Sequence, residues 1–365
     1  MKFIKVTASN FRNLSNNFEV NVNHKHVLLI GDNGQGKTNF LELLYLLCYG
    51  NSFRTAALKE LIKFKEKGFF ISGIFEDERS LKRKITFSYF DLKRTIKIDD
   101  KLITDRRDLI YNIPCIVFSH GDINFVNGTP ESKRKFFNQT LSMYDRLFFD
   151  DLRYYSKVIR QKNVALKENR IELLPIYDEL LAKYGLNIMK SRVKAVYEMN
   201  QIFPFLFEKV SGIKNVKLDY KPSWKKCSTE EEIIANLEKS RDRDLRLTFC
   251  NSGIGRDKFS IITENGDLSH IGSTGQLRLA SLVLRATQSQ FYKKKTGKDP
   301  ILLIDDVLLE LDIKKRNIFL SLLDGYCQVF FTFLPKENYF KDDEEYSDYI
   351  TLTVKDGGFV KNGEG

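Results

Sequence analysis

Nine consecutive residues, Gly31, Asp32, Asn33, Gly34, Gln35, Gly36, Lys37, Thr38 and Asn39, carry the types and spacing of a phosphate-binding loop. The glycines let the backbone turn sharply and aim its N–H groups inward, Lys37 reaches the β- and γ-phosphates of a nucleoside triphosphate, and the Thr38 hydroxyl ligates Mg²⁺. Such a loop needs a strand before it and a helix after it. Val27-Leu-Leu-Ile30 reads as the short buried strand, and Phe40 to Cys48 has the composition of a buried helix, whose N-terminus adds positive potential at the same spot.

An acidic pair stands far along the chain. Pro300-Ile-Leu-Leu-Ile304 reads as an apolar strand ending in Asp305 and Asp306, with Glu310-Leu-Asp312 close behind. Such a strand supplies the second Mg²⁺ ligand of a phosphate-loop protein, here Asp305, and Asp306 can accept hydrogen bonds from an attacking water. Just ahead of it, Gly272-Ser273-Thr274-Gly275-Gln276 opens a helix that runs to about Gln290. These small and polar residues are a weak signal alone; their place before the acidic strand gives them weight. In a compact phosphate-loop kinase the acidic strand follows soon after the loop, whereas here 268 residues separate Lys37 from Asp305. A large helical segment inserted into one nucleotide-binding domain explains the gap.

The elements that must position these residues are legible in outline. Residues 1–30 alternate apolar and polar around Phe3, Val6, Phe18, Val20 and Val22, as two antiparallel strands do. The Asn10-Phe-Arg-Asn13 between them means little by itself. Gly50 is a helix C-cap, and residues 68–104 read as a strand meander with seven basic residues against three acidic from Leu81 to Lys101. Ile113–Phe118 is a further buried strand. From residue 131 to about 245 the spacing is helical, with ten basic residues against five acidic between Glu131 and Arg170. That excess fits a solvated outer face or an anion-binding one. Prolines and glycines interrupt the helices before any heptad repeat accumulates. Ser228-Thr-Glu-Glu-Glu232 starts a helix to about Asp244, Asn265-Gly266 turns a hairpin, Lys314–Leu323 is helical and Gln328–Thr332 is a last buried strand. Residues from Lys336 to Asp348 read as an exposed acidic loop.

A chain of 365 residues suits about two domains, and its net charge of +11 favours an anionic partner over simple solubility. No apolar run reaches the ~18 residues of a membrane span, and the first residues lack the apolar region of a signal peptide. The five cysteines are dispersed and never form a C-x-x-C pair. Reduced core thiols in a cytoplasmic protein without membrane attachment are therefore expected.

With these landmarks in this order, the chain resembles the RecF family of bacterial recombination mediators, relatives of the ABC-type ATPases that include Rad50 and the structural-maintenance proteins. The resemblance covers nearly the whole length. It rests on Asn10–Asn13, Gly31–Asn39, Ser52-Phe-Arg-Thr55, Val117-Phe-Ser119 with Asp122, Val126-Asn-Gly128 with Pro130 and Arg134, Asp244-Leu-Arg246, Arg256-Asp257, Gly272–Gln276, Asp305-Asp306-Val307 and Glu310–Asp312. Three places depart from the family pattern: His120 replaces a proline, Gly253-Ile-Gly-Arg-Asp-Lys258 replaces Gly-Pro-His-Arg-Asp-Asp, and Leu277 replaces a glutamine. They bear on the signature surface and the rate of hydrolysis.

The resemblance implies an α/β fold: a P-loop ABC-ATPase-like head with a mixed sheet, formed by residues 1–125 and 246–365, plus an inserted, mainly helical second lobe over 126–245. It implies ATP and Mg²⁺ held between two heads of a homodimer. One head supplies Lys37, Thr38 and Asp305; the other supplies Ser273, Gly275 and Gln276. Asp306 takes the place of the catalytic carboxylate, and Asp312 lies at the dimer seam. A weak, DNA-stimulated ATPase is implied, with binding to double-stranded DNA beside single-stranded gaps and, with RecR and RecO, help in loading RecA.

Rival classes fit less well. The nucleotide-binding subunit of a transporter shares the motifs but has a smaller helical insert and no cause for so basic a charge. A chromosome-organising ATPase of the Rad50 kind needs hundreds of residues of heptad coiled coil. A DNA-binding scaffold with a decayed nucleotide site is disfavoured by the intact Lys37, Thr38, Asp305 and Asp306.

Overall fold

A computed structural model of the chain describes residues 1–77, 79–323, 325–335 and 348–364, with Leu309, Glu310 and residues 362–364 described by backbone alone. Most of the acidic loop expected from Lys336 to Asp348 and the side chain of Glu310 therefore lie outside the described residues. In chain order the elements are β1 (Lys2–Ser9), β2 (Phe18–Asn21), β3 (His26–Ile30), α1 (Lys37–Tyr49), β4 (Gly68–Glu76), β5 (Lys82–Phe90), β6 (Lys93–Ile98), β7 (Lys101–Leu102), α2 (Arg107–Ile110) and β8 (Cys115–Phe118). Next come α3 (Pro130–Ser142), α4 (Arg146–Lys167), α5 (Leu174–Met199), α6 (Phe203–Ser211), β9 (Lys217–Lys221), α7 (Glu230–Leu247), β10 (Lys258–Thr263), β11 (Gly266–Asp267), α8 (Leu268–Ile271) and α9 (Thr274–Thr296). The last are β12 (Ile301–Ile304), α10 (Ile313–Leu320), β13 (Gln328–Phe333), β14 (Tyr349–Lys355) and β15 (Gly358–Glu364). Two compact units result: residues 1–120 with 292–365, and residues 121–291.

The first unit holds two six-stranded sheets. One is antiparallel, in the order β2-β1-β4-β5-β6-β7, and includes the expected meander. The other runs β15-β14-β3-β13-β12-β8, with β14, β3, β13, β12 and β8 mutually parallel. Strands inside a parallel sheet are covered on both faces, which is why β12 (ILLI) and β13 (QVFFTF) are buried at every position. Helix α1 touches β4 and β5 of one sheet and β8 and β13 of the other. An element covered on both sides must be apolar nearly all round, and past Asn39 every residue of α1 is buried. Gln328 links the sheets: its buried amide donates to the carbonyls of Phe3, Val22 and His24 at 2.7–3.0 Å and accepts from the Phe3 N–H.

In the second unit, α4 and α5 pack together, α7 packs on α5, and a small sheet runs β11-β10-β9. Polar caps set the helix starts. Thr129 accepts from the Ser132 N–H before Pro130, Asp145 accepts from Phe148, and Thr229 with Glu232 forms a capping box at the start of α7. The interior carries charge as well as apolar bulk. Lys162 lies 2.6 Å from Asp178 and 3.9 Å from Asp244, and Arg285 pairs with Asp122 at 2.7 Å, all buried.

Several boundaries differ from the sequence reading, each for a local reason. β8 begins at Cys115, after Pro114, which has no N–H for a strand ladder. β9 falls inside the stretch read as helical, and its partner is β10, about forty residues on. Residues 246–291, read as part of the head, pack with the helical unit because β10 pairs with β9 and α8 packs on β10. β14 and β15 were not anticipated.

Candidate functional site

The phosphate loop leaves the end of β3, and the parallel register brings the acidic pair beside it. Ile30 pairs with Phe333 and Leu29 with Thr332, while Ile304 pairs with Phe331. Asp305 and Asp306 therefore emerge at the same sheet edge as Gly31. The Thr38 hydroxyl donates to Asp305 Oδ1 at 2.7 Å. Thr332 was not singled out in the sequence. Its hydroxyl accepts from the Asp306 N–H and donates to the Asp306 carboxylate, both at 2.8 Å, holding Asp306 in a left-handed conformation with φ of 54°. Burial raises Asp305 from 3.8 to about 6; the Thr38 hydrogen bond opposes this and the neighbouring Asp306 charge adds to it.

The loop itself is built for an anion. Lys37 is only 4% exposed and curls over its own loop, donating to the carbonyls of Gly31 at 2.7 Å and Asp32 at 3.3 Å. Among the described residues no protein acceptor takes the main-chain N–H groups of Gly34, Gly36, Lys37 or Thr38. Gly36 holds φ at 114°, a left-handed value that glycine takes without strain, and a Cβ on Gly31 would strike the Val354 carbonyl. The donor set, backbone N–H groups and a lysine at a helix start, fits a polyphosphate. A hydroxyl and a carboxylate 2.7 Å apart fit a hard, oxygen-seeking cation such as Mg²⁺.

An outer ring fixes the loop, and it gives Asn10-Phe-Arg-Asn13 a use. Asn13 donates to the Gly34 carbonyl at 2.7 Å and accepts from Asn39, whose own carbonyl accepts from Arg54. Arg12 clasps Glu42 with two hydrogen bonds of 2.9 and 3.0 Å, and Ser52 donates to the same fully buried carboxylate. Gln35 is tied to Asp356 and Gly357 just past β14.

Ser273, Gly275 and Gln276 lie in the second unit, at the start of α9. Ser273 accepts from the Gln276 N–H at 3.3 Å, and the Gln276 side chain accepts from the Ser273 N–H at 2.8 Å, a reciprocal cap. Ser273, Thr274 and Gly275 are exposed, and nothing stands within 4 Å of where a Gly275 Cβ would be. Leu277, the departure from the family pattern, is buried beneath the turn. The structure thus brings Lys37, Thr38, Asp305 and Asp306 together, and it presents Ser273, Gly275 and Gln276 on a separate, solvent-facing helix start. Asp312 caps α10 by accepting from the Lys315 N–H.

Known proteins resemble the chain along nearly its whole length. The RecF/RecN/SMC N-terminal domain family matches residues 2–351. The DNA replication and repair protein RecF of Treponema pallidum is 42% identical over 92% of this chain and 94% of its own length. The chain belongs to the RecF family. The RecF protein of Leptospira interrogans is 32% identical over 90% of this RecF-family chain and 91% of its own. A solved structure of the recombination mediator protein RecF with ATP, from the RecFOR pathway, superposes with a TM-score of 0.89 at 29% identity, covering 99% of this chain and 97% of that one. An Smc head bound to the C-winged helix domain of ScpA shares the fold alone, at 13% identity and a TM-score of 0.58 over 100% and 98% of the two chains. The expected α/β head of the ABC-ATPase type is therefore the fold of this RecF-family chain. Among the described residues, no helix is long and apolar enough to cross a membrane.

Proposed function

We propose that this chain is a DNA replication and repair ATPase of the RecF kind, a cytoplasmic switch that dimerises on ATP and comes apart on hydrolysis. The observation that carries the reading is the convergence of the Gly31–Thr38 loop with Asp305 and Asp306 at one sheet edge. In this reading Lys37 and the loop N–H groups bind the phosphates, and Thr38 with Asp305 holds Mg²⁺, which would neutralise charge between the β- and γ-phosphates. Asp306, oriented by Thr332, accepts a proton from the attacking water. The residues Ser273, Gly275 and Gln276 of a second copy close the site, since the exposed start of a 23-residue helix favours an anion. In this reading the functional head comprises 1–125 and 246–365, residues 246–291 included although they pack with the second unit, with 126–245 as the arm.

The basic surface of the chain serves double-stranded DNA next to single-stranded gaps, with RecR and RecO as partners and RecA loading as the outcome. The net charge of +11 and the names carried by the relatives support this. Because contacts to phosphate dominate, binding is expected to weaken steeply with salt and to ignore sequence. Analytical ultracentrifugation with and without ATP and duplex DNA tests the reading. Dimers that form only with ATP and bind duplex at low salt support it; a monomer indifferent to both ligands overturns it.

A further inference from the structure

We infer that the second unit carries an anion-binding cleft, separate from the phosphate loop and shaped for a nucleotide phosphate. The cleft has a volume of about 660 Å³ and is lined by residues of α3, α4, α5 and the 249–256 segment. Four arginines line it, Arg134, Arg160, Arg192 and Arg256, and no aspartate or glutamate does. Arg192 forms the floor. It is 1% exposed, and its Nη1 meets Asp257 at 2.5 Å and its Nη2 meets Asn138 at 2.8 Å. Its Nε has no hydrogen-bond partner among the described residues, an unmet donor in a buried cation.

One carboxylate does not balance this cluster. Arg134 donates to the main-chain carbonyl of Asp257 and Arg160 to that of Ser156. Among the described residues neither they nor Arg256 forms an ion pair with a carboxylate. Burial, and then repulsion from Arg192, lowers the pKa of Arg134, as expected where cations crowd. Two amides add donors. Asn138 gives its oxygen to Arg192 and Asn163 gives its oxygen to the Cys250 N–H, which leaves both NH₂ groups to donate.

The size and one wall argue for more than a bare phosphate. The volume lies in the range of small-molecule sites, about 300–1,000 Å³. Phe249 is 38% exposed with Arg256 stacked 5.7 Å from its ring centre, a face on which a base can lie. A free nucleotide and a residue of a nucleic-acid strand share this chemistry.

The experiment uses the full chain in a Lys37→Ala background, so that the phosphate loop does not contribute, without ATP or Mg²⁺. Anisotropy of a fluorescein-labelled pentathymidylate reports binding. Arg160 and Arg256 are exposed, so Arg160→Gln and Arg256→Gln leave the packing in place. Each is expected to weaken binding about fivefold to tenfold and to lower the slope against log salt by about one. Phe249→Ala is expected to weaken binding with the slope unchanged. Competition by thymidine 5′-monophosphate assigns the cleft to a free nucleotide, and competition by longer oligonucleotides alone assigns it to a strand. Unchanged affinity and slope in both arginine variants would overturn the inference, as would an equal loss in Lys93→Gln, which changes only the meander sheet of the first unit.

Discussion

The Thr38 hydroxyl donates a 2.7 Å hydrogen bond to Oδ1 of Asp305 across 267 residues of chain. The bond exists because β3 and β12 both flank β13 in one parallel sheet, so the residues that follow them leave at a common edge. Ligand sites in open α/β sheets gather at this carboxyl end.

Lys37 should be indispensable to that edge. Lys37→Ala removes the buried ammonium that bonds the Gly31 carbonyl. ATP-dependent dimers, followed by sedimentation, should vanish, and dimers that form normally would count against the ATP sandwich.

Asp305→Asn should separate stability from function. The folded pKa of about 6 lies above the ordinary 3.8, so the folded state holds a proton that the unfolded state releases between those values. Stability is therefore lost as pH rises through that window, and the full cost stands at pH 7. Asparagine removes the charge while its carbonyl still accepts from Thr38. In EDTA at pH 7 the variant should be more stable by roughly 1–3 kcal/mol in urea, with no gain below about pH 4, and it should lose Mg²⁺-dependent ATP hydrolysis. Equal stability at both pH values would refute the burial argument.

Asp306→Asn should bind ATP and hold the dimer without turning it over. Thr332→Val should copy part of this, because it frees the Asp306 carboxylate and leaves the Asp306 N–H unpaired at a cost of about 1–3 kcal/mol. Single-turnover hydrolysis measures both; rapid turnover by Asp306→Asn removes that residue from the catalytic role.

In the second unit, Lys162→Met should be severe. It strips the 2.6 Å partner from Asp178 and the nearest cation from Asp244, leaving Arg241 as the one ion-pair partner of Asp178 among the described residues. Breaking a buried pair in this way costs about 3–5 kcal/mol, and urea unfolding with a loss below 1 kcal/mol would contradict the packing described.

The phosphate loop, the acidic strand and the capped start of α9 were legible because each is a local pattern with a local cause. The meander and the Asn265-Gly266 hairpin were legible for the same reason. Asn13 was not, since its use depends on Gly34 and Asn39, which only the fold brings near. Thr332 was read simply as the end of a buried strand. β9 is five residues long and has two charged ends, too short to break a helical pattern. β14 does alternate, Tyr-Ile-Thr-Leu-Thr-Val, ahead of the turn at Gly357, and that signal was present though not taken up.

The neighbours of β3 on its two sides are β13 and β14. A ribosome therefore completes the nucleotide-loop strand about three hundred residues before either flank exists. At about 5–20 residues per second the wait is roughly 15–60 s. Throughout it, β3 has no parallel partner to pair with and α1 can meet only the antiparallel sheet of β4 and β5, while the residues of the second unit are made before either flank. The newborn polypeptide thus passes through a long interval in which the apolar strand ahead of its nucleotide loop is open to chaperones and to other unfinished chains.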